Sequence, residues 1–113
     1  MTQLQHVTPH QLKEWMDKGM AILVDVRPSE EYEDVRIEGS ILLPMESLQH
    51  AMLPHNPDKI IVFHCHKGER GARAAQACLE HVPHRRIYCL EGGIGAWIEA
   101  GFSVERGVDP GRL

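Results

Sequence analysis

The apolar positions of the chain fall in two rhythms, and their alternation predicts strands interleaved with helices. Residues 3–7 are a weak candidate for a first strand. Thr8 followed by Pro9 reads as a helix start, a capping hydroxyl ahead of proline at the first helical position. Leu12, Trp15 and Met16 then share one helical face, and Gly19 closes the segment. Residues 21–26 are an apolar run of strand length, ending at the polar pair Asp25 and Arg27. An unbroken run of this kind suits a strand covered on both faces, as in a parallel sheet. Pro28 opens an acidic helix with Tyr32 and Val35 inward, broken at Gly39. Residues 40–43 predict a short third strand closed by Pro44, and residues 46–53 a short helix with Leu48, Ala51 and Met52 on one side. Ile60, Ile61, Val62 and Phe63 form the clearest buried strand, over residues 59–64. Residues 71–81 predict an alanine-rich helix with Ala75, Cys78, Leu79 and Val82 at helical spacing. Residues 86–90 are the fifth strand. Gly92 and Gly93 lead into a last helix with Ile94, Trp97 and Ile98 on its inner face, ended by Gly101.

Five strands separated by helices imply a three-layer α/β/α sandwich around a five-stranded, mostly parallel sheet. With 113 residues the chain suits one domain, residues 1–105, followed by a flexible C-terminal tail over 106–113. At 42% apolar and 25% charged residues, the composition supports a packed core and argues against disorder. A net charge of −4 gives no general attraction to nucleic acid or to an anionic membrane. The longest apolar run, Met20 to Val24, falls far short of the ~20 residues that span a bilayer. The first residues carry neither a basic stretch nor an apolar signal core, so a cytoplasmic location is expected. Cys65, Cys78 and Cys89 form no CxxC pair, and their odd number suits a reducing compartment. The eight histidines show no metal-ligand spacing, and no metal is expected.

Ligands of such sheets bind outside the carboxyl ends of the strands, which directs attention to the loop after the best strand. That loop is Cys65-His66-Lys67-Gly68-Glu69-Arg70, followed by Gly71-Ala72-Arg73 and a helix. A tight strand-to-helix turn points successive N–H groups inward as a nest for negative charge, and Gly68 permits the backbone angles it needs. The helix aims its positive end at the same spot. Arg70 offers a forked pair of donors for an oxyanion, and Lys67 a second cation at the rim. A thiol at the head of such a cradle is driven from a pKa of ~8.5 into the range ~3.5–7.5, which makes Cys65 a candidate nucleophile. Set against this, Cys65 alone would read as a small core residue at a strand end. Arg73 divides between site rim and solvated face. Cys78 and Cys89 read as core, as do Trp15 and Trp97. Asp25 and Arg27 read as an ion pair bracing the loop that follows. Gly92-Gly93 reads either as a plain helix-start turn or as a backbone approach to the Cys65 loop.

The strand–Cys-His-Lys-Gly-Glu-Arg–helix segment resembles the active-site loop of the rhodanese domain. Leu23-Val24-Asp25-Val26-Arg27 with Glu31-Tyr32 is similar to that family's first signature. Residues 36–40 leading to Leu43-Pro44 occupy the place of its Gly-His-Ile-Pro-Gly-Ala turn. Leu90-Glu91-Gly92-Gly93, Ala96-Trp97 and Ala100-Gly101 resemble its closing signature. The resemblance implies sulfurtransferase chemistry. Cys65 takes the sulfane sulfur of thiosulfate or a persulfide, and cyanide or a thiol then removes it. His66, Lys67, Gly68, Glu69 and Arg70 bind the substrate, and no cofactor is needed. The implied partners are a small sulfur-containing anion and a thiol or protein acceptor, with neither nucleic acid nor membrane. His66 stands where many single-domain members carry arginine, and Arg36 and Glu38 replace histidine and proline in the turn. Two other readings stand beside this one. The domain is a non-catalytic or sulfur-relay binding module, or a small phosphatase or arsenate reductase. The phosphatase loop, however, places five residues between cysteine and arginine, and here Arg70 comes one residue early.

Overall fold

The computed structural model describes residues 4–48, 53, 58–65, 69–82 and 85–107. Strand β1 (Gln5–Val7) leads into α1 (Pro9–Asp17), whose start follows from its sequence. Thr8 is extended, its Oγ1 accepts from the Gln11 N–H at 3.1 Å, and Pro9 fills the first helical position. Beyond them lie β2 (Ala21–Asp25), α2 (Ser29–Asp34), β3 (Val35–Arg36), β4 (Ile41–Leu42), β5 (Ile60–His64), α3 (Glu69–His81), β6 (Ile87–Leu90), α4 (Gly93–Glu99) and β7 (Glu105–Arg106). Five strands join in the order β1-β6-β5-β2-β4, and all four pairings are parallel.

Alternation along the central strands sends side chains to two cores. Val24, Val26, Ile61, Phe63 and Cys65 pack beneath Ala74, Ala75, Cys78 and Leu79 of α3. Leu23, Ile60, Val62 and Leu90 face the other way, against Leu12 of α1 and Ile94 and Trp97 of α4. The result is the expected three-layer α/β/α sandwich. No helix among the described residues is long and apolar enough to cross a membrane.

Five local readings change. The acidic helix after Pro28 stops at Asp34, because Val35 and Arg36 pair antiparallel with Arg106 and Glu105. The Val35 carbonyl takes Arg27 Nη2 at 2.6 Å, while Arg36 lies over the Tyr32 ring at 5.5 Å and donates to the Gly107 carbonyl at 3.0 Å. These partners are distant in sequence, and they outweigh local helical spacing. Arg106, expected at the head of the tail, is therefore part of a strand; residues 108–113 lie outside the described residues. Met45 to Ser47 make a turn where a helix was expected, and Ala51 and Met52 lie outside the described residues. Ile98, expected inside α4, is 39% exposed, because a seven-residue helix buries only the narrow face through Ile94 and Trp97. Helix α3 begins at Glu69, two residues early, and takes Arg70 into its first turn.

The carboxyl ends of β2 and β5 hold a buried polar cluster. Asp25 and Arg27 form the bracing pair expected from sequence, with Nη2 2.7 Å from Oδ2 and both Nε and the Arg27 N–H 3.0 Å from Oδ1. His64 pairs in register with Asp25, is wholly buried, and has Nε2 3.5 Å from Oδ2. Among the described residues neither ring nitrogen has a hydrogen-bond partner. Burial therefore pulls His64 from 6.5 down to about 4, against the opposing pull of the Asp25 carboxylate.

A histidine whose pKa is depressed on folding leaves the unfolded chain binding more protons. Its stabilising contribution is complete above pH 6.5 and is lost as pH falls toward 4. From pH 7 to pH 4.5, wild type should lose about 2 kcal/mol more unfolding free energy in urea than His64→Phe, which cannot titrate there. Equal losses in the two proteins would show that His64 is not held neutral.

Candidate active site

Cys65 follows the last residue of β5 and is fixed from both faces of the sheet. On one face, Gly92 (φ 74°) and Gly93 (φ 60°) turn the chain so that the Ile94 N–H, in the first turn of α4, donates to the Cys65 carbonyl at 2.8 Å. A Cβ on Gly92 would stand 2.6 Å from the Ala96 Cβ, so glycine is required there. Both readings of Gly92-Gly93 hold, because Gly92 caps the start of α4 and the same turn brings the Ile94 N–H to the Cys65 carbonyl. On the other face, α3 rests directly on the strand end. A Cβ on Gly71 would lie 3.1 Å from His64 Cα and 3.4 Å from the Cys65 nitrogen. The positive end of a 13-residue helix is thus set against the Cys65 backbone.

The thiol itself is 1% exposed and packs among Val26, Phe63, Ala74 and Cys78. Among the described residues, Arg70 is a polar neighbour. The guanidinium, 30% exposed, grips Glu31 with Nη1 at 3.1 Å and Nη2 at 3.0 Å from the two carboxylate oxygens. The Glu31 hydrogen bond is the main reason that the Arg70 pKa rises, and the charge and hydrogen-bonding capacity of Cys65 raise it further. Arg70 therefore stands between a carboxylate and the thiol. The fork expected to reach a bound anion is held by Glu31 in this structure. Sequence reading placed Glu31 in a signature but gave it no role at the site. The two residues are 39 positions apart, and only the fold brings them together.

Glu69 is exposed in the first turn of α3, where a negative charge complements the helix dipole. His66, Lys67 and Gly68 lie outside the described residues, and the amide cradle expected of them lies there too. Arg73, one turn beyond Arg70, is exposed. Val26, Pro28, Pro44, Met45, Glu46 and Arg70 enclose a cavity of about 60 Å³ at the carboxyl end of the sheet.

The other two cysteines are core residues, as expected. Burial raises the Cys78 pKa, and burial with the Cys65 charge pushes Cys89 up to about 12, so both are protonated at neutral pH. Cys89 pairs in register with Phe63, which puts it diagonal to Cys65 across two parallel strands. Strand spacing and rise place their Cα atoms roughly 8 Å apart, beyond disulfide reach.

Comparison with known proteins agrees with this geometry. MoeZ of Mycobacterium tuberculosis, a probable adenylyltransferase/sulfurtransferase, is 34% identical over 80% of this chain, which spans about a quarter (24%) of that relative. The thiosulfate sulfurtransferase GlpE of Pseudoalteromonas translucida is 31% identical, over 90% of this chain and 97% of its own. The solved structure of a rhodanese-related protein from Thermoplasma volcanium superposes with a TM-score of 0.76 at 28% identity, covering 89% of this chain and 97% of that one. Residues 8–100 match the family model described as the rhodanese-like domain, a span that takes in Asp25, Glu31, Cys65, Arg70 and the Gly92-Gly93 turn. With that span matched and the sheet, the thiol and its arginine in place, the chain belongs to the rhodanese-like domain family.

Proposed function

We propose that this protein is a sulfurtransferase that carries a sulfane sulfur on Cys65. The family match and the relatives named as sulfurtransferases support sulfur transfer as the class of reaction. The observation that carries the reading for this chain is the setting of Cys65. It lies at the amino end of α3 with Arg70 as its charged neighbour, and Arg70 is itself held by Glu31.

With thiosulfate as donor, the Cys65 thiolate attacks the outer sulfur. The S–S bond of the donor breaks with its electron pair leaving on sulfite, and Cys65–S–S⁻ remains. Cyanide then takes the outer sulfur as thiocyanate, or a thiol takes it as a persulfide, and the Cys65 thiolate is regenerated. Every intermediate is anionic at sulfur, so a fixed guanidinium and an aligned helix end favour the whole cycle. Loop residues His66, Lys67 and Gly68 complete the substrate site in this proposal, with Glu69 on its outer rim. Cys78 and Cys89 take no part, and three cysteines outside any disulfide suit a cytoplasmic, reducing setting.

The phosphatase reading has less support. Arg70 comes five positions after Cys65, one short of the phosphatase spacing, and its two terminal nitrogens already bind a carboxylate instead of facing an open phosphate-sized space. A purely binding module has no need of a thiol beside a fixed guanidinium.

Treatment with thiosulfate should add about 32 Da to the intact mass, one sulfur on a cysteine nucleophile. Cyanide should remove it, and Cys65→Ser should never show it. A protein that gains no sulfur from thiosulfate or a persulfide would be a binding module, and hydrolysis of an aryl phosphate would restore the phosphatase reading. Arg70→Ala should lower thiosulfate turnover at least tenfold while Tm falls by less than about 5 °C, since a partly exposed ion pair contributes little to stability. A large fall in Tm with normal turnover would make Arg70 a structural residue only.

A further inference from the structure

The face of the sheet away from α3 carries another cavity, of about 420 Å³, between the end of α1, the turn at Ile37 and Glu38, and residues 101–103 beyond α4. Cys65 packs beneath α3 on the other face, so this cavity is separate from the candidate active site. Its size is that of a small-molecule site, and its walls are held in place by the fold itself. Trp97 ties down the 101–103 wall, its carbonyl accepting from the Phe102 N–H at 3.3 Å and its Nε1–H donating to the Ser103 carbonyl at 3.0 Å. Phe102 is wedged against Trp97 and His10, at ring-centroid distances of 4.9 and 5.0 Å. Ser40 closes the turn by donating its N–H and its hydroxyl to the Ile37 carbonyl, at 3.1 and 2.7 Å.

The lining divides into an apolar base and a charged rim. Met16, Ile37 and Phe102 supply hydrocarbon and an aromatic ring. Ile37 is buried, and the Met16 methyl reaches the same turn, 3.7 Å from where a Cβ on Gly39 would stand. On the rim, Lys13 and Asp17 neutralise each other, with Nζ 2.6 and 2.8 Å from the two carboxylate oxygens. Glu38 is exposed, and among the described residues it has no ion-pair partner. The cavity therefore carries one unbalanced negative charge above an apolar base. Glu38 also stands where the turn resembled in the sequence has proline, and the chemistry at Cys65 makes no use of it.

We propose that this cavity binds a small organic cation, an ammonium group on a short apolar or aromatic body. The body covers Met16, Ile37 and Phe102, and the ammonium group pairs with the Glu38 carboxylate on the rim. An aromatic wall suits such a ligand twice, since a ring packs against hydrocarbon and attracts a cation over its face. An anion of the same shape is repelled by Glu38, and a neutral ligand leaves that charge unanswered. The site is independent of Cys65 and holds whether or not the protein transfers sulfur.

Phenethylammonium, phenethyl alcohol and phenylacetate share a phenyl body and differ in charge. In a titration of the full chain followed by backbone amide shifts, phenethylammonium should move the amides of Met16, Asp17, Glu38 and residues 101–103. Its Kd should be millimolar, which is what about nine non-hydrogen atoms support in an open cavity. Phenethyl alcohol and phenylacetate should each bind at least about threefold more weakly, the size of effect one exposed charge supplies. Glu38→Gln removes the unbalanced charge and should weaken the ammonium probe about threefold, whereas Lys13→Gln adds a negative charge and should tighten it about threefold. Both substitutions are at the rim, where an exposed charge contributes little to folding. Either control binding as tightly as phenethylammonium would overturn the proposal. So would shifts centred away from these residues, or an affinity that either variant leaves unchanged.

Discussion

The site depends on how closely α3 seats against the end of β5. At Gly71 the helix comes so near the backbone of His64 and Cys65 that there is almost no room for a Cβ. Strand β5 cannot move aside to make room. It is hydrogen-bonded to β2 on one edge and β6 on the other, and its two faces are packed by separate cores. Any widening must displace the helix. With the helix go its positive end, Arg70 in its first turn, and the grip on Glu31. The opposite face of the sheet applies a matching constraint, because the Ile94 N–H holds the Cys65 carbonyl. The backbone of Cys65 is fixed by contacts on both sides of the sheet.

The electrostatics of this end of the sheet combine two ion pairs with different jobs. Asp25 and Arg27 are fully buried and close the end of β2 by binding each other and the Val35 carbonyl. Removing one partner of such a pair leaves a buried charge uncompensated, which typically costs about 3–5 kcal/mol. Glu31 and Arg70 remain 37% and 30% exposed, so their attraction is screened, and their importance lies in orientation more than stability. Glu31 holds the guanidinium toward Cys65 but also cancels part of its charge.

Much of the layout was legible in the sequence because it rests on local rules. Thr8-Pro9 specified the start of α1, the run through Ile60 to Phe63 specified a doubly covered strand, and Gly19 and Gly101 marked the ends of α1 and α4. Cys65 stood out because a thiol between a buried strand and a glycine-bearing basic loop has few structural uses. What sequence reading missed was non-local. The β3–β7 pairing needs Arg36 and Glu105 to meet across the fold, and the role of Glu31 needs a partner 39 residues away. The burial of His64 without a hydrogen-bond partner was hidden for the same reason, since it follows from register with Asp25 and not from any neighbour in the chain.

Gly71→Ala is the most direct probe of the seating of α3, because one methyl group widens the contact and alters no charge. With the circular dichroism spectrum unchanged, single-turnover sulfur uptake at Cys65 should slow at least tenfold. A rate within twofold of wild type in a correctly folded Gly71→Ala protein would mean that the helix can stand away from the strand at no chemical cost, contradicting the account.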